Sequence, residues 1–110
     1  MPRLLELMAK DGSVHVRTSV LDVVRGFGPG VALPMVQKAL IYDDSTYVRS
    51  TAAYTVAVWS VDAPALKSVL QQALAQEKKA VVAERIKDYL EQGRVSGNPA
   101  TKTVQMGGHP

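Results

Sequence analysis

A chain of 110 residues, 46% hydrophobic and 21% charged, is long enough for one domain with a buried core and too apolar for disorder. It contains no cysteine, which excludes disulfides, cysteine-ligated zinc, iron–sulfur clusters and thiol catalysis. The net charge of +3 is not clustered: residues 1–60 hold six basic and five acidic side chains, residues 61–92 hold five of each, and Arg94 and Lys102 supply the remainder. Neutralising phosphates takes grouped cations, so this pattern argues against nucleic-acid binding. No apolar run is long enough to cross a bilayer. Glu6, Lys10 and Asp11 break the first apolar stretch too early for a signal peptide. The expectation is a soluble protein inside the cell, cytoplasmic by default.

Six helices are predicted, over residues 2–10, 13–26, 31–42, 45–60, 63–75 and 78–92. The first opens at Pro2 and carries Leu4, Leu5, Leu7 and Met8. The second follows Ser13, whose hydroxyl can accept from a free N–H of the first turn. Val16, Val20, Val24 and Phe27 form its apolar stripe at spacings of four, four and three. Gly26-Phe27-Gly28-Pro29-Gly30 ends it, because proline cannot continue a helix and glycine relaxes the turn. The third places Leu33, Val36 and Leu40 on one face. Asp43-Asp44-Ser45 breaks the pattern, and Ser45 is the expected cap of the fourth helix, with Val48, Ala52, Val56 and Trp59 on its stripe. Ala63-Pro64-Ala65 opens the fifth, since proline suits a first turn. Leu66, Val69, Leu70, Ala73 and Leu74 are its apolar face. Val82, Ile86, Tyr89 and Leu90 line the sixth, which Gly93 stops. Residues 93–110 hold four glycines and two prolines without periodicity and read as an irregular tail.

The chain also repeats. A shift of 32 residues superposes Pro2 on Pro34, Asp11 on Asp43, Ser13 on Ser45, Val16 on Val48, Arg17 on Arg49 and Val24 on Val56. Phe27 falls on Trp59. Each unit is a helical hairpin with Asp and Arg six residues apart. The third unit, residues 63–92, shows neither at that spacing, with Gln76 and Val82 nearby, as a terminal capping unit would.

This pattern, Pro34…Asp43…Val48-Arg49…Ala52-Ala53…Val56, resembles the HEAT-repeat family, in its short variety found in phycobilisome bilin lyases and many scaffold proteins. The resemblance covers residues 2–92. It implies an all-α fold, an α-solenoid of about three antiparallel helix pairs, and binding of proteins far more often than catalysis. It implies that Asp11, Arg17, Asp43 and Arg49 form a structural ladder between units. It also implies that the second helices line a concave face, where His15, Thr18, Asp22, Arg25, Tyr47, Ser50 and Tyr54 lie off the apolar stripe. Tyrosine, histidine and arginine on a shallow concavity suit a protein interface.

Other chemistry finds little support in the residues. His15 and His109 are the only histidines, and no His-x3-His or His-Glu pair provides metal-ligand spacing. The di-iron centre of some HEAT-like enzymes is therefore not carried over. Ser13, Ser19 and Ser45 have no His–Asp partners at a spacing that supports a triad. Phe27 and Trp59 are expected in the core. The expected function is a non-catalytic, cofactor-free interaction scaffold or accessory subunit of a larger assembly. The alternative is a transient regulatory or chaperone module related to bilin lyases. The short apolar first helix leaves an uncovered end, which favours a homodimer or docking on a larger complex.

Overall fold

The computed structural model describes residues 2–92. Within them the chain is all-helical: α1 (Arg3–Asp11), α2 (Val14–Arg25), α3 (Pro29–Tyr42), α4 (Thr46–Asp62), α5 (Lys67–Gln76) and α6 (Ala80–Gln92), with a 3-10 turn at Pro64–Leu66 before α5. No strand occurs among the described residues. The tail 93–110, with His109, lies outside them.

Local chemistry sets the helix starts. Ser13 Oγ accepts from the Val16 N–H at 3.2 Å and Ser45 Oγ from the Val48 N–H at 3.3 Å, each satisfying one orphan donor of a first turn. The third helix begins two residues earlier than its apolar pattern predicts. Gly28 takes φ +84° at the cap, a left-handed value that a side chain disfavours. Pro29 follows in the first turn, where its missing N–H costs nothing. Pro34 therefore lies inside α3 rather than near its start.

Three hairpins result. α1 packs on α2, α3 on α4 and α5 on α6. Between hairpins, α2 packs on α4, α4 on α6 and α3 on α5. The core runs continuously through Val20, Leu21, Val24, Val36, Leu40, Val48, Val56, Leu70, Val82 and Ile86. Burying each such side chain contributes about 1.5–3 kcal/mol before entropy is charged against it. α4 is central and buried nearly all round. Ala52, Ala53 and Ala57 let its neighbours approach closely. Its buried hydroxyls bond back to their own helix: Thr51 Oγ1 donates to the Tyr47 carbonyl at 3.1 Å, Thr55 Oγ1 to Thr51 at 3.0 Å and Ser60 Oγ to Ala57 at 2.7 Å. The polar groups so enter the core satisfied.

Trp59 is buried, and its Nε1–H donates to the Arg25 carbonyl at 2.9 Å. Phe27, its counterpart one unit earlier, does not join the core. It stands exposed, because no helix pair precedes the first unit to cover it.

Candidate functional site

Two arginine clamps stitch the hairpins together. Arg17, on the first turn of α2, donates from Nε to Asp43 Oδ2 at 2.9 Å and from Nη2 to Asp43 Oδ1 at 3.0 Å. Its Nη1 donates to the Gly12 carbonyl at 2.6 Å and its Nη2 also reaches Asp44 Oδ1 at 3.1 Å. Arg49, on the first turn of α4, donates from Nε to Glu77 Oε1 at 2.9 Å, from Nη2 to Glu77 Oε2 at 3.0 Å and from Nη1 to the Asp43 carbonyl at 2.7 Å. Both pairs are bidentate and largely shielded from water, the geometry in which guanidinium–carboxylate bonds are strongest. In both, the third bond runs back to the loop just before the arginine's own helix. Asp11 closes α1, and its side chain lies outside the described part of the structure.

The carboxylate in the third unit is Glu77, which the sequence pattern did not single out. It sits 34 residues beyond Asp43 rather than 32. The same offset carries Val48 to Val82 and Ala52 to Ile86, so the third unit is shifted by two residues. A change of repeat spacing was the signal that pointed to it. Burial acts to raise the Glu77 carboxyl, but the Arg49 guanidinium and the backbone N–H groups of Lys79 and Lys78 outweigh it and hold the group below its ordinary range. Bonding to Asp43 raises Arg17 above its already high value.

The residues expected on the open face separate into three groups. Asp22, Arg25 and Tyr54 come together. Arg25 Nη2 donates to Asp22 Oδ1 at 2.8 Å, its Nε donates to Thr55 Oγ1 at 3.1 Å, and its guanidinium carbon lies 4.6 Å above the Tyr54 ring centre. That is cation–π range. Tyr54 in turn stands 6.5 Å from Tyr89 of α6, tilted by 55°. Burial pushes the Tyr89 phenol up despite a hydrogen bond with Arg85 that pulls the other way. A cation–aromatic–aromatic row thus crosses α2, α4 and α6. His15 and Tyr47 are exposed on the first turns of α2 and α4, outside this row. Thr18 and Ser50 are not surface residues. Both are buried, and Thr18 Oγ1 donates to the His15 carbonyl at 2.9 Å. A small hydroxyl satisfied by its own helix packs as an alanine would.

No family model, curated protein or solved structure matches the chain. The chemistry available is therefore that of the side chains themselves. Among the described residues no group of three His, Asp or Glu side chains is placed to hold a metal ion, and no helix is long and apolar enough to cross a membrane. A groove of about 540 Å³ runs between α1 and α3. Leu7, Pro34, Met35 and Ala39 line it, with Arg3, Lys10 and Lys38 beside them. Sequence periodicity gave no sign of it, because it arises from the gap between two first helices that scarcely touch.

Proposed function

We propose that this chain is a small HEAT-like α-solenoid that acts as a non-catalytic protein-interaction scaffold or accessory subunit. The observation that carries the reading is the repeated arginine clamp. Arg17–Asp43 and Arg49–Glu77 join successive hairpins with the same bidentate bonds and the same return bond to a loop carbonyl. A fold whose conserved geometry lies between units, with each unit buried by its neighbours, is built to extend a surface. His15, Asp22 and Tyr47 offer exposed polar and aromatic groups on the second helices, and the Arg25–Tyr54–Tyr89 row holds α2, α4 and α6 in fixed relation beneath them. Rigid aromatic and arginine-rich surfaces suit protein partners.

The test is affinity capture of the tagged chain from its source, wild type against the double variant His15→Ala, Tyr47→Ala. A scaffold retains a partner in fixed stoichiometry through a moderate-salt wash, and the double variant, folded by circular dichroism, loses it. No stoichiometric partner, or equal retention by the variant, would remove this surface from the proposal.

A further inference from the structure

The two ends of the stack differ in a way the repeat makes measurable. In the second unit, Thr55 and Trp59 both bond to Arg25 of the unit before it, and they are 0% and 7% exposed. Val36 and Leu40 of the same unit are 0% and 1% exposed. A shift of 32 residues carries these four positions to Val23, Phe27, Leu4 and Met8. All four remain apolar, yet they are 52%, 42%, 66% and 37% exposed. The first unit thus presents, uncovered, the positions that its successor buries.

The other end is finished differently. Leu21 and Ala53 are buried at equivalent places in the first two units. The 34-residue offset of the third unit puts Lys87 there, exposed and ion-paired with Glu84 at 3.6 Å. Glu91 is exposed one turn further on. That end is charged and suited to water.

We infer that a second copy of this chain covers the outer side of α1 and α2, the two copies meeting face to face through Leu4, Met8, Val23 and Phe27. The inference rests on the helical-repeat reading above and names the partner. The four side chains carry no charge that a twin surface would repel. The opposite end of another copy would instead bury Glu84, Lys87 and Glu91 against apolar groups, at a desolvation cost without return. Like-on-like pairing also closes: it uses up the one apolar end of each copy and yields a discrete dimer, not a filament.

Light scattering and sedimentation equilibrium on the purified chain across a concentration series test this. The expected mass is twice 11.9 kDa. Phe27→Lys with Leu4→Lys should raise the dissociation constant by about thirtyfold or more, the loss of a typical anchor residue, while the helical signal and urea midpoint hold. Should that pair of changes disturb folding, Val23→Lys alone serves, since Val23 is half exposed. Lys87→Glu should leave the dimer intact. A wild-type chain that stays at 11.9 kDa overturns the inference, as does a dimer that survives the lysine substitutions. A dimer lost on Lys87→Glu, or masses that climb with concentration, would mean head-to-tail stacking and overturn it too. The Arg49→Ala measurement below judges the repeat itself: destabilisation there with a monomeric wild type removes the pairing and leaves the repeat reading standing.

Discussion

Removing Arg49 should cost far more than removing a surface cation. Arg49→Ala deletes both bonds to Glu77 and the bond to the Asp43 carbonyl. The Glu77 carboxylate then stays nearly enclosed, its side chain 3% exposed. Its remaining side-chain bond partner is the Lys79 N–H at 3.1 Å. Breaking a buried pair from one side costs about 3–5 kcal/mol. Arg49 is itself slightly open to water and Glu77 keeps a backbone donor, so the lower figure applies, about 3 kcal/mol. That is a large share of the stability of a domain this size, about 5–15 kcal/mol. With a urea slope of about 1–1.5 kcal/mol per molar, the midpoint should fall by about 2–3 M. Trp59, the single tryptophan, is buried against the Arg25 carbonyl and reports unfolding by fluorescence. Lys87→Ala, which opens an exposed pair, should change stability by less than about 0.5 kcal/mol. The double change Arg49→Met, Glu77→Met should recover most of the loss, because an apolar pair leaves no stranded charge. A loss below about 1 kcal/mol for Arg49→Ala, or no recovery in the double variant, would refute the argument that the clamp joins the units through a buried charge pair.

Two further predictions concern acid and glycine. The Glu77 carboxyl titrates below its ordinary value in the folded chain, so its contribution is full above the unfolded value of about 4.3 and is lost as pH falls through the lower folded value. Glu77→Gln should flatten the stability–pH curve below about pH 4.5 relative to wild type; parallel acid limbs in urea titrations would contradict this. Gly12→Ala should destabilise, because a Cβ there would collide with Val16 Cγ1 and lie 2.8 Å from the Met8 carbonyl. Gly30→Ala, in α3 with open space around it, should stabilise by about 0.4–1 kcal/mol through the unfolded state. Thermal melts of the two variants should move in opposite directions.

Much of the architecture was legible because it depends on local spacing. Apolar residues at three- and four-residue intervals marked all six helices, and Ser13 and Ser45 marked two of their starts. What escaped depends on neighbours. Thr18 and Ser50 are polar by type, but each is enclosed by packing that a single helix does not reveal. Phe27 fits an apolar stripe, yet a stripe buries only what has something to lie against. Glu77 was hidden by a two-residue change in repeat length. The α1–α3 groove was hidden because an absence of contact leaves no trace in periodicity. The Arg25–Tyr54–Tyr89 row needed three helices in register before the rings and the guanidinium could meet.

The contact pattern also sets the order in which the molecule can come apart. α4 touches α2, α3, α5 and α6, whereas α1 packs chiefly on α2. A linear array of equal units would unzip from either end with similar ease. Here the central helix ties four others into one cooperative block, and α1 hangs on it by a single seam. Its amides should exchange with solvent through a low-energy local opening, while those of α4 wait for the whole block to open. Whatever lies against α1 would then act as a clasp, raising its amide protection without altering a single bond inside the block.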